Sequence, residues 1–349
     1  MTIFNEVITF AQAHESTWDR DANGKFGVHL KERAPWNRLY GPIHSRGPAS
    51  GTILLQGKEL VSWGEPDRAD LTYSVVKTYL ALLAGVAYDR GLITDLNERL
   101  GSRFQGIGFD EGNNAQVTWK HMLQQTSEWG GTLWDIPDQV DRYSSATFGT
   151  PAEGVKGDAR PLRTAGSYWE YNDIRVNQFA RALLHLFEKP LPNVFRQAIM
   201  QPIGASDDWK WLGYDNSWVV INGERMQSVT GGTHWGGGMS ISARDQAKIA
   251  QMMLSLGKNS EGEQVLSEDW IRQMTQPCEI APFYGYLTWL NDESRIFPSV
   301  PASSYFGIGA GSSLFWVEPE RQLVVVIRWL EAQHANELFK KILQAVDTQ

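Results

Sequence analysis

Apolar and β-branched residues flank a Gln56-Gly57-Lys58 turn in residues 51–63, GTILLQGKELVSW, and this pattern predicts two short strands joined as a hairpin. The period then changes. From residue 73 to 90 the apolar positions Val76, Leu80, Leu83, Ala84 and Ala87 recur at helical spacing, and Gly91 stands where a helix would stop. Further helical patterns cover residues 117–125, 174–187, 193–200 and 243–256, while 217–221 and 226–229 read as strands. Near the C-terminus, residues 312–317 and 322–329 flank Glu318-Pro319-Glu320-Arg321 as a second hairpin, and 332–345 should form a closing helix. Strands at both ends with helices between them predict an α/β (α+β) architecture: an antiparallel sheet flanked by terminal helices, with a helical lobe inserted. The sheet lobe is expected from residues 1–94 and 214–349, and the mainly helical lobe from 95–213. Residues 128–167, rich in Gly, Pro, Asp and Thr, form a connection whose length in a compact domain points to a role at the active site.

Composition narrows the function classes. The 349 residues are 42% hydrophobic and 21% charged, enough for one two-lobed body with a sizeable core. A net charge of −8, with both signs interspersed, provides no basic track for a phosphate backbone, so nucleic acid is not an expected partner. Residues 1–15 lack the basic start and apolar run of a secretory signal, and no stretch has the length of a membrane span; a cytoplasmic location without membrane contact is expected. The single cysteine, Cys278, excludes an internal disulfide and a cysteine-based zinc cage, and the seven histidines show no ligand spacing. Neither metal nor cofactor is expected.

Ser74-Val75-Val76-Lys77 carries the candidate chemistry. Three residues apart on a helix, a hydroxyl and an amine share one face and can exchange a proton, and a buried lysine can activate the weakly nucleophilic serine. The helix start adds unpaired N–H groups and the positive end of its dipole. The spacing alone is cheap, since Ser255-Leu256-Gly257-Lys258 repeats it; but Ser255 ends a helical pattern, whereas Ser74 opens a long apolar one. The alternative is a helix-start serine beside a solvated lysine.

Residues 69–100, ADLTYSVVKTYLALLAGVAYDRGLITDLNERL, resemble the nucleophile helix of the class C β-lactamase superfamily, with its Ser-x-x-Lys. VTWKHMLQQTSEW (117–129) resembles the family helix ending in His-Thr-Ser-Gly, from which Gln125 and Glu128 depart. GGGMSISARDQAKIAQMML (236–254) is similar to the Gly-Gly turn and Ser-x-x-Asp helix start, where Ser242 can cap and Asp245 sits third. FGIGAGSSLFWVEPERQLVVVIRW (306–329) resembles the strand and hairpin that wall the family's active site. The resemblance implies the β-lactamase/transpeptidase-like fold.

It also implies roles. The family's Tyr-x-Asn matches Tyr171-Asn172-Asp173, making Tyr171 the partner of Ser74 and Lys77; Tyr143 is the rival tyrosine. If Asp173 points at Lys77, its carboxylate favours the ammonium, and the proton could pass instead through the phenol, so the general base is Lys77 or Tyr171. The third motif, Lys-Thr-Gly or His-x-Gly, falls on Gly307-Ile308-Gly309, which has no base; this argues against penicillins and D-alanine peptides as natural substrates. The N–H groups of Ser74 and Ala310 are the candidate oxyanion hole. The resemblance places Gly309, His234 and Trp235 near the cleft with Asp173, His234 either donating to a substrate carbonyl or making a structural hydrogen bond. Eight of 15 tryptophans lie between Trp119 and Trp235 and could wall the cleft or pack the core. The implied function is hydrolysis of a carboxylic ester or small linear amide through an acyl-enzyme at Ser74. The alternatives are β-lactamase or D-amino-acid peptidase activity, and an inactive penicillin-binding-protein-like module.

Overall fold

The computed structural model describes residues 4–144 and 153–348. Residues 145–152 of the long connection at 128–167, and residues 1–3 of the N-terminal stretch, therefore lie outside the described residues.

The hairpin at the start of the chain forms as Ser50–Leu55 and Lys58–Trp63. It adds to strands from the other end. The resulting six-stranded sheet runs Trp289–Leu290, Tyr305–Gly309, Ser313–Glu318, Leu323–Arg328, Ser50–Leu55, Lys58–Trp63, and every pairing is antiparallel. Ser313–Glu318 and Leu323–Arg328 are buried along their whole length, which explains why their apolar runs hardly alternate. Trp316 pairs with Val325, and its ring meets Phe339 of the terminal helix Ala335–Val346 at 4.8 Å. Arg328, three positions on and therefore on the opposite face, reaches Gln246 of the helix Ala243–Leu254. Helices thus cover both faces. Among the described residues no helix is long and apolar enough to cross a membrane.

Periodicity misses a second, three-stranded sheet of Asp70–Leu71, Gly238–Ile241 and Lys210–Leu212, because two to four residues are too few to show a period. The strands at 217–221 and 226–229 appear as Trp218–Ile221 and Glu224–Gln227, paired only with each other. The pattern over 193–200 becomes an α-helical turn, Leu191–Phe195, followed by π-helix at Arg196–Met200.

The helix read from residue 73 begins later. Tyr73 has φ +50°, which no α-helix accommodates, so Tyr73–Val75 form a 3-10 turn and the α-helix spans Val76–Asp89. Every residue of that helix from Val76 to Ala87 is buried, as expected of a helix apolar all round. It ends before Gly91, whose φ of +67° continues no helix.

Both departures from the family pattern after the short helix Trp119–Leu123 have partners. Gln125 accepts from the Asn172 N–H at 2.9 Å and donates to the Tyr284 hydroxyl at 2.8 Å. Glu128, fully buried, receives Arg160 at 2.6 Å, Arg175 at 2.8 Å and the Arg163 N–H at 2.8 Å. Arg160 continues to Glu170 at 2.7 Å, and Arg175 and Arg142 share Asp138. This buried lattice ties residues 153–163 to the helix Asp173–Phe187.

Candidate active site

The nucleophile candidate sits on a strained turn. Left-handed Tyr73 is held by an aromatic nest of Trp18, Phe26 and Trp329, with ring centroids 5.3–6.4 Å away. Ser74 follows, half-buried, so its hydroxyl reaches a cavity of about 330 Å³ that Tyr73, Lys156, Tyr171, Asp173 and His234 also line. Lys77, on the first turn of the helix, donates to Ser74 Oγ at 2.8 Å. The other Ser-x-x-Lys separates in character: Ser255 caps the C-terminus of its helix and bonds Gln251.

Tyr171 immediately precedes the N-cap Asn172, whose Oδ1 accepts from Ile174 and Arg175 N–H at 3.1 Å. The cap points Tyr171 inward. Its ring stacks on Trp289 at 5.5 Å and lies 4.8 Å from Lys77 Nζ, and it lines the same cavity as Ser74. Burial, and then the charge of Asp173, push the phenol well above its ordinary range, so it is protonated at neutral pH. Tyr143, the rival, does not line the cavity; its N–H donates to Glu170 and its ring lies 5.7 Å from Arg160.

Asp173 does point at Lys77, forming a close ion pair through Oδ1. Its other oxygen faces His234 Nδ1 at 2.8 Å, and His234 Nε2 faces Glu32 Oε1 at 2.6 Å. Lys156 closes the chain, pairing with Glu32 and with Asp141 at 2.9 Å, while Asp141 accepts the Asp173 N–H at 2.6 Å. Burial would raise the Asp173 carboxyl, but Lys77 and then His234 hold it well below the usual range. Glu32 is likewise held down against its burial by His234 and Lys156. Burial would lower Lys156, yet Asp141 and Glu32 raise it. All these groups are largely removed from solvent, so salt screens them little.

His234 therefore has no N–H for a substrate carbonyl: both nitrogens are engaged by carboxylates. Trp235 stacks beneath it at 3.9 Å and is fully buried, its indole donating to the Trp36 carbonyl, so it supports the ring and does not line this cavity. Asp141, Asp173 and His234 bring ligand-type atoms within 4.8 Å of one another. The ammonium groups of Lys77 and Lys156 already pair with these carboxylates, which makes the cluster an ion-pair network unsuited to a cation.

The opposite wall is the strand Tyr305–Gly309 and the turn after it. A Cβ on Gly309 would come within 2.2 Å of the Thr72 carbonyl and 3.0 Å of Ser74 N, so only glycine lets this strand pass the turn that carries Ser74; Ala310 follows at the cavity wall. Gly307 pairs with Phe315, whose ring occupies the position of its Cβ at 2.3 Å. A basic side chain there would have to displace that ring. The aromatic wall comes from Tyr171, Trp289 and Phe297, two of them outside the stretch 119–235, with Ile308 and Leu314 beside them; Trp119, Trp209, Trp211 and Trp235 pack the core. Sequence reading missed Glu32, Asp141 and Lys156, which carry no motif. It also missed Gly232, whose Cβ would lie 3.2 Å from Lys77 Nζ and 3.4 Å from Ser74 Oγ, and whose only signal is its place in GGTHW.

The Beta-lactamase family matches residues 66–337, and the chain belongs to that family, with the fold of the serine β-lactamase-like superfamily. Three solved structures illustrate the fold. A protein from Bacillus anthracis provisionally named a 6-aminohexanoate-dimer hydrolase is 13% identical over 87% of this chain and 78% of its own, with a TM-score of 0.62. A family VIII carboxylesterase is 16% identical over 86% and 92%, with a TM-score of 0.60. A penicillin-binding protein homologue from Caulobacter crescentus is 14% identical over 91% and 95%, with a TM-score of 0.58. No curated protein matches the sequence.

Proposed function

We propose that this protein is a serine hydrolase that cleaves an uncharged carboxylic ester or small linear amide through an acyl-enzyme at Ser74. One observation carries the reading: the Ser74 hydroxyl meets the Lys77 amine at 2.8 Å and the Tyr171 phenol at the same cavity. In the reactive form Lys77 is a neutral amine. It takes the proton as Ser74 Oγ bonds to the carbonyl carbon, and the N–H groups of Ser74 and Ala310 receive the oxyanion. Tyr171 gives its proton to the departing oxygen or nitrogen and is reprotonated from Lys77. Water then attacks the acyl-enzyme by the reverse relay, releasing the acid and restoring Ser74. The apolar wall of Trp289, Phe297, Ile308 and Leu314 suits an uncharged substituent, and Lys156, which also lines the cavity, is already paired by Glu32 and Asp141.

The test is a fluorophosphonate probe with mass mapping, alongside p-nitrophenyl esters, linear amides and a chromogenic cephalosporin. The wild type should be labelled at Ser74 and hydrolyse esters or amides with little cephalosporin turnover. Ser74→Ala should lose labelling and at least about 10³-fold in kcat. An unlabelled wild type without turnover would instead identify a binding module.

A further inference from the structure

We propose that Glu32 is a positioning residue of the Ser74 site: it keeps His234 as an imidazolium, and that cation divides Asp173 between two partners and leaves Lys77 able to cycle its proton with Ser74. The inference rests on the hydrolase reading above. Its basis is the pair of contacts on one ring. His234 Nδ1 lies 2.8 Å from Asp173 Oδ2 and Nε2 lies 2.6 Å from Glu32 Oε1. A neutral imidazole would turn one lone pair toward a carboxylate oxygen at that distance, whereas the imidazolium donates to both.

The surrounding charges give this proton a function. His234 faces Asp173 at the head of the helix Asp173–Phe187, Glu32 and His29 on the N-terminal segment, and Asp141 and Lys156 on the connection before that helix. Lys77 lies beyond Asp173. In the resting form, with Lys77 an ammonium and His234 charged, three cations (Lys77, Lys156, His234) balance three carboxylates (Asp173, Glu32, Asp141). His29 does not add a fourth, since burial and then the charge of His234 lower its affinity for a proton. Burial opposes the charge on His234 too, but the hydrogen bonds to Asp173 and Glu32 outweigh it and raise its pKa. Loss of that proton would add one uncompensated negative charge to a buried cluster beside the hydroxyl whose attack creates the oxyanion. It would also return Asp173 wholly to the Lys77 ammonium. Both effects oppose acyl transfer, and low exposure keeps them strong. Activity should therefore fall as pH rises through the His234 titration, and Glu32 determines where that fall begins.

The experiment compares the pH profile of kcat/KM for a p-nitrophenyl ester in the wild type, Glu32→Gln and Glu32→Asp, with fluorophosphonate labelling of Ser74 to count active sites. Glutamine preserves shape and an acceptor for His234 but removes the charge. Glu32→Gln should move the descending limb to lower pH by one unit or more, so that about tenfold is lost between the old and new limbs. Below the new limb its rate should stay within about threefold of wild type. Glu32→Asp, one methylene shorter, should shift the limb the same way by less, and it reads the effect if Glu32→Gln does not fold. NMR titration of the His234 ring, assigned by its loss in His234→Gln, should show the same displacement without turnover. A folded variant that leaves the limb and the ring titration in place while slowing the reaction equally at every pH would overturn the proposal. A wild type that is not labelled at Ser74 overturns the hydrolase reading instead, and the ring titration still decides whether Glu32 sets the charge of His234.

Discussion

Replacing Glu128 by glutamine removes one negative charge from a largely buried lattice in which Arg142, Arg160 and Arg175 are matched by Glu128, Asp138 and Glu170. The variant retains the shape but leaves the lattice one positive charge in excess. Burial acts to raise the Glu128 carboxyl, yet Arg160 and Arg175, with the Arg163 N–H, hold it at about 2 against an ordinary 4.5. That interval corresponds to about 3 kcal/mol of stabilisation, at 1.36 kcal/mol per tenfold change in proton affinity. Breaking a buried ion pair by removing one partner costs a similar roughly 3–5 kcal/mol. Because the folded value lies below the unfolded one, the contribution is fully present above about pH 4.5 and is lost as pH falls toward 2. Glu128→Gln should thus lose about 3 kcal/mol at pH 7, and the gap from wild type should close below pH 4.5. With an unfolding entropy of about 2.1 cal/mol/K per residue over 349 residues, the melting temperature should fall by about 4 °C. Urea unfolding followed by tryptophan fluorescence at pH 7 and between pH 5 and 3 measures both the size and the closure of the gap. A loss under 1 kcal/mol at pH 7, or a gap that stays constant down to pH 3, would show that the lattice does not stabilise the fold through this charge.

Two further substitutions separate the parts of the site. Tyr171→Phe keeps the stack on Trp289 and removes the hydroxyl at Ser74; kcat should fall by about 10²–10⁴ with little change in KM, and steady-state kinetics on an ester reads the split. Gly309→Ala places a methyl 2.2 Å from the Thr72 carbonyl, so the strand must retreat from the turn that carries Ser74. We expect a loss of about 1–3 kcal/mol in stability, read by urea unfolding, and a slower rate of Ser74 labelling.

The Ser74-to-Lys77 spacing, the hairpins at both ends and the Ser242 cap were legible in the chain, because each depends on neighbours within a few residues; Tyr171-Asn172-Asp173 was legible only through its resemblance to the family's Tyr-x-Asn motif. An N-cap and a helical period are local facts, and the sequence states them. Tertiary structure decided the rest. Glu32 and His234 are 202 residues apart, and no local pattern distinguishes Glu32 from any other surface-type glutamate until the fold buries it against that ring. Lys156 and Asp141 acquire their meaning in the same way, from loops without a period. The left-handed Tyr73, which moves the helix start to Val76, is held by Trp18, Phe26 and Trp329 from distant segments, so helical periodicity could not reveal it. Charge pairing and backbone strain depend on which groups share a buried volume, and chain order alone does not define that volume.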